Sequence, residues 1–178
     1  MTQETYFGVA PTSSPLDLTS TVASSTLTAA GGSAYTGTVV APQLVASSAT
    51  AASVVVPSFN LPEASGAVIP QITLSTDATS GWGGTVLLVT LWTAAPTYTN
   101  GDGGTYAVAT GSAGQRQQFT VVLQQMADGA VGQGAALVGS SPFIVPAAGT
   151  SIYWDIQIEN SATPIVGQTF TLTPQIWN

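Results

Sequence analysis

Eight carboxylates and one guanidinium are the only side chains in this sequence that carry charge at neutral pH. They are Glu4, Asp17, Glu63, Asp77, Asp102, Asp128, Asp155 and Glu159 against Arg116, and there is no Lys, His or Cys. Catalysis by His or Cys is excluded, a Ser-Lys pair with it, and so are thiolate metal sites. Paired carboxylates are the remaining acid and base option. Asp155 and Glu159 share a face if they lie on a strand, but at ~3.3 Å per residue they are about 13 Å apart. Glycosidase pairs sit roughly 5 to 9.5 Å apart, so these two read as solvated surface acids and the chain as a non-enzyme.

"TYTNGDGGTY", residues 97 to 106, has the composition of an ion- or phosphate-holding loop. A phosphate cradle of the Gly-x-x-x-x-Gly-Lys kind needs a Lys, and a calcium loop needs acids at alternate positions, whereas Asp102 is the sole carboxylate between Asp77 and Asp128. Asn100-Gly101 and Asp102-Gly103 are turn dipeptides, because Asn, Asp and Gly accept positive φ at low cost. The stretch is therefore expected to be a turn, with Asp102 as a weak candidate for calcium helped by backbone carbonyls. No cofactor is expected.

A single cation cannot track phosphates or hold an anionic membrane, so neither nucleic acid nor membrane is an expected partner. No run of about 18 apolar residues is present, and "MTQETYFGVAPTSSP" shows neither a basic nor an apolar leader region, so no signal peptide is expected. Disorder does not follow from the low charge, since 44% of the 178 residues are hydrophobic and they are spread along the chain. Of the four tryptophans, Trp154 falls on an apolar face, while Trp82 in "TSGWGG" and Trp177 are freer to be exposed, at a subunit contact or a glycan. Arg116 is expected in a solvated loop or paired with an acid across a subunit contact.

These side chains must be positioned by strands. Residues 8 to 34 are small and weakly periodic, and read as part of an extended N-terminal arm or loose loop spanning 1–34, followed by one domain over 35–178. Beyond residue 50 a period of two takes over. Ile152, Trp154, Ile156 and Ile158 alternate with Tyr153, Asp155, Gln157 and Glu159, which predicts a half-buried strand with the acids outward. Val68, Pro70, Ile72 and Leu74 share a face, as do Phe170, Leu172, Pro174 and Ile176; Pro174 cannot donate to a ladder and predicts an edge or a bulge. Residues 84–92 are apolar on both faces and predict a central strand. Residues 116–129 fit a strand through Phe119, Val121 and Leu123 or a helix capped by Gly129, and the β-branched run favours the strand. Further strands are expected within 35–40, 51–59 and 135–145. Eight or so strands predict an all-β, single-domain antiparallel β-sandwich of jelly-roll type.

Between residues 67 and 125, "AVIPQITLS", "TVLLVTLW", "TAAPTYTNGDGGTYAVAT" and "FTVVL" follow one another. Within this, "LWTAAPTYTNGDGGTYAV" resembles the strand, "aPT" turn and Asp-containing loop of tailed-phage capsid decoration (cement) or head-fibre proteins. The resemblance covers about a third of the chain and leaves the arm unmatched. It implies a β-sandwich bound to the outer surface of a virion through the major capsid protein, often as a homotrimer, with no catalytic residues. The alternative is a carbohydrate- or receptor-binding sandwich of a tail fibre or adhesin, using the tryptophans and acids.

Overall fold

The computed structural model describes residues 21–22, 24–31, 34–61, 67–77, 82–109, 114, 116–125, 132–137, 143–145, 151–162 and 166–177. The first half supplies β1 (Thr21–Val22), β2 (Ser25–Thr28), β3 (Tyr35–Thr36), β4 (Gln43–Val45), β5 (Ser58–Asn60), β6 (Ala67–Thr76) and β7 (Val86–Trp92). The second supplies β8 (Arg116–Val122), β9 (Gln124–Gln125), β10 (Gly132–Leu137), β11 (Phe143–Val145), β12 (Ser151–Ile158), β13 (Ser161–Ala162) and β14 (Thr169–Trp177). All pairings are antiparallel, which is the all-β sandwich expected.

Two long strands form the middle of each sheet. In one, β14 lies against β6; β2 and β1 flank β14, β11 and β10 flank β6, and β9 follows β10. In the other, β12 lies against β7; β4 and β5 flank β12, and β8 flanks β7. A short ladder of β3 with β13 stands apart. Splitting the flanking positions between two short strands is why the count exceeds the eight or so expected.

The prolines mark where the flanking strands change over. Pro70 lies between the residues of β6 that pair β11 (67–69) and those that pair β10 (71–75), and there the register with β14 slips, Gln71 facing Gln175 but Val68 facing Trp177. Pro174 lies between the parts of β14 that pair β2 and β1. Neither position needs an N–H for an unbroken ladder, so proline costs little there. Pro174 thus sits inside a central strand, beside a bulge, rather than on an edge.

The core fills the space between the sheets. Ile69, Ile72, Leu74, Phe170, Leu172 and Ile176 from one face Leu87, Val89, Leu91, Trp154, Ile156 and Ile158 from the other, all essentially without solvent contact. Each such side chain contributes roughly 1.5–3 kcal/mol on burial. β7 is the central strand its two-sided apolar pattern predicted. Residues 116–122 form a strand, as the β-branched run favours, so Arg116 starts β8 opposite Trp92 rather than lying in a loop. Within 51–59, Ala51–Ser53 is a 3-10 turn and only Ser58 onward is strand.

Residues 25–28, read as arm, lie along β14 of the same chain, with Ser25 and Leu27 inward and Thr26 and Thr28 outward. The Trp154 indole N–H donates to Ser25 Oγ at 2.9 Å, fixing that strand to the opposite sheet. Among the described residues no helix is long and apolar enough to cross a membrane.

Candidate functional site

The stretch between β7 and β8 is rich in polar bonding outside the ladders. Residues 97–109 fold back as a hairpin, with Thr99 N–H donating to Ala107 O and Ala109 N–H to Thr97 O. The tip then docks on β4: Leu44 N–H donates to Gly104 O, Gly103 N–H to Leu44 O and Tyr106 N–H to Pro42 O. Gly103 has φ +71° and Gly104 N–H closes back on Gly101 O, so the tip is the turn that its dipeptides predict. Gly101 is required for another reason. A Cβ at that position would overlap the carbonyl of Ala49.

Asp102 stands at this tip and its carboxylate is fully engaged. Oδ1 accepts from Ala46 N–H at 2.7 Å and from Tyr35 O–H at 2.8 Å, and Oδ2 from Gly31 N–H at 2.9 Å. Its own N–H donates to Ser48 O. One carboxylate thus joins the segment around Gly31, the start of β3 and the end of β4. Burial first, and the charge and hydrogen bond of Asp102 after it, hold the Tyr35 phenol well above its usual range, so it stays a donor. Among the described residues no group of three or more acids lies close enough to hold a metal ion.

The second carboxylate lies under the hairpin's base. Asp155 is buried, against the expectation of a surface acid, because the 54–57 segment and the hairpin cover the outer face of β12, with Leu44 of the neighbouring β4 beside them; Gln157 is buried with it. Asp155 Oδ2 accepts from Trp92 Nε1–H at 2.9 Å, Tyr98 O–H at 2.8 Å and Tyr106 O–H at 2.9 Å. Oδ1 has no hydrogen-bond partner. Burial pushes the Asp155 carboxyl up to about 6; the bonds from Tyr98, Tyr106 and Trp92 and the nearby Thr90 hydroxyl pull the other way and offset only part of it. Tyr98 is raised by burial and then by Asp155, so it too remains protonated.

A small pocket beside Asp155 is lined by Leu27, Leu44, Val54, Val56, Tyr98 and Trp154 among others, with space for little more than one water-sized group. That is far below the few hundred Å³ of ordinary ligand sites. A sugar or cofactor does not fit.

The expected site residues are distributed as follows. Asp102 and Trp82 are linked through Tyr35, whose ring meets Trp82 edge-on at 6.3 Å between centroids. Trp82 is fully buried, not exposed: it packs edge-on against Phe170 at 5.1 Å and its indole N–H donates to Gln168 Oε1. Trp177 lies in β14 opposite Val68, and Arg116 in β8 opposite Trp92; their side chains lie outside the described residues. The sequence reading missed Asp155, Tyr98, Tyr106 and Trp92. The available signal was the pair of tyrosines flanking the Gly-rich turn, since a phenol on a buried hairpin base needs an acceptor.

No protein-family model, no curated protein and no solved structure matches the chain.

Proposed function

We propose that the chain is a non-enzymatic virion structural protein that binds the outer capsid surface as a decoration or cement protein, contacting the major capsid protein as a homo-oligomer, a trimer by family resemblance. The observation that carries this is "LWTAAPTYTNGDGGTYAV", the segment that resembles phage decoration and head-fibre proteins. Its polar side chains support a structural role, because Asp102, Tyr98 and Tyr106 are spent on holding the hairpin to the sandwich. A chain with one Arg and eight acids, Asp155 among them buried, makes contacts through Ser, Thr, Gln and apolar groups, which salt screens little. The turn between β3 and β4 offers such a contact in Val39 and Val40, 74% and 93% exposed.

Mass spectrometry of purified virions should find the protein in tens to hundreds of copies. Purified protein should co-sediment with capsids equally at low and high salt. A strict monomer without capsid affinity overturns the reading. The glycan-binding alternative loses its main residue with Trp82 buried, and a glycan array is expected to give no hits.

A further inference from the structure

A tight turn joins β3 to β4. Thr38 N–H donates to Ala41 O at 3.1 Å and Ala41 N–H to Thr38 O at 3.0 Å, which leaves Val39 and Val40 as the two turn residues. All four residues from Thr38 to Ala41 are exposed. Local preference puts Asn, Asp or Gly in such a turn, because a two-residue hairpin follows the twist of its strands best with positive φ at its centre. No described residue other than glycine has positive φ, so the valines hold a less suited turn and gain no burial in return. Neither the turn nor the core asks for them. Two other exposed valines are explained by alternation: Val55 points outward because Val54 and Val56 pack against Leu44, Ala46 and Tyr98, and Val122 because Val121 and Leu123 point into the core.

The base of the turn is fixed. A Cβ at Gly37 would overlap the carbonyl of Ile158, and Gln43 accepts from Thr36 N–H while its own amide donates to Gly103 O. The tip is thereby held out in one orientation, which lowers the ordering cost of a contact made through it. No charged residue occurs in the sequence between Asp17 and Glu63, so the turn brings no Lys or Arg that could hold an anionic membrane, and an apolar socket in a protein suits it better. Two valines cover little area. A stable pair of proteins buries roughly 800 Å² on each partner, far more than one such tip offers, so a single tip on a second copy does not hold a dimer. Several tips of one oligomer on a repeated surface do better, since each contact after the first is intramolecular.

We propose that the Val39–Val40 tip is a plug that enters an apolar socket repeated over the capsid surface, one tip from each subunit of the oligomer. The plug rests on the decoration reading and names the contact that reading needs.

The test is co-sedimentation of the full chain with purified capsids that lack it, comparing wild type with Val39→Asn/Val40→Gly. That variant gives the turn the residues it favours and removes both apolar side chains. Its affinity should fall at least about a hundredfold, while the urea midpoint stays or rises and the mass in sedimentation velocity is unchanged. Should the midpoint fall instead, Val39→Thr/Val40→Thr keeps the β-branched shape and must lose affinity for the same reason. Val55→Thr, at a valine about as exposed as Val39, should bind as wild type does. Wild type that fails to bind capsids sinks the decoration reading and the plug with it; a tip variant that binds as well as wild type sinks the plug alone, as does an equal loss in Val55→Thr. A tip variant of lower mass would put a second copy on the valines, and flotation of wild type with phosphatidylcholine vesicles would put lipid there, and either overturns the proposal.

Discussion

Two aspartates in this protein each collect three donors, and they do different work. Asp102 divides its donors over both oxygens, and two of the three are backbone N–H groups from residues 56 and 71 positions away. Asp155 gathers only side-chain donors, all on one oxygen. Backbone donors cannot turn away when their acceptor is lost, so Asp102 fixes where segments of chain lie. Side-chain donors can rotate, so Asp155 sets how tightly one hairpin is held. Counting bonds would make the two equal; asking which groups donate separates them.

The largest effect that breaks the comparison is expected from Asp102→Ala. It strands Gly31 and Ala46 N–H and the Tyr35 phenol, for a loss of about 3 kcal/mol in urea unfolding. The next depends on pH. Asp155 has its pKa raised from 3.8 in the unfolded chain to about 6 in the fold, so as pH falls the folded state takes up the proton first. Its contribution is complete below about 4 and is lost as pH rises through about 6, roughly 2–3 kcal/mol in all. The stability difference between wild type and Asp155→Asn should therefore shift by that amount, in favour of the variant, between about pH 4 and about pH 8. A double-mutant cycle sharpens this further. The coupling of Tyr98→Phe with Asp155→Asn should be about 1–2 kcal/mol at about pH 8, where the bond is charge-assisted, and smaller at about pH 5. The smallest effect is that of Gly103→Ala, about 1 kcal/mol from the positive φ alone, since a Cβ there meets only Tyr35 at an ordinary 3.9 Å.

Much of the frame could be read from period and turn chemistry. The alternation at 152–158, the two-sided strand at 84–92 and the Asn-Gly-Asp-Gly turn all rest on local preferences, and the structure has them. What the period misled about is Asp155. Alternation tells which residues share a face, and Ile152 to Ile158 do, but not whether the other face meets water. That was decided by a hairpin from residues 97–109 and by the 54–57 segment, both distant in sequence. Trp82 misled in the same way: Gly on both sides suggested exposure, whereas its partners Tyr35, Gln168 and Phe170 come from both ends of the sequence. The turn at Asp102 was legible, and its three bonding partners, all distant, were not.

The placement of β14 has a consequence for how the molecule is made. Residues 169–177 lie between β2 and β6, and β12 lies between β7 and the pair β4 and β5, so neither sheet has its middle until residues far downstream of their partners are in place. Pairings of such wide sequence separation close slowly, because a long loop must be ordered before any contact rewards it. While it waits, β6 presents an unfilled edge with almost no charge to repel another chain. Refolding yield should therefore fall as protein concentration rises, until β14 fills that edge.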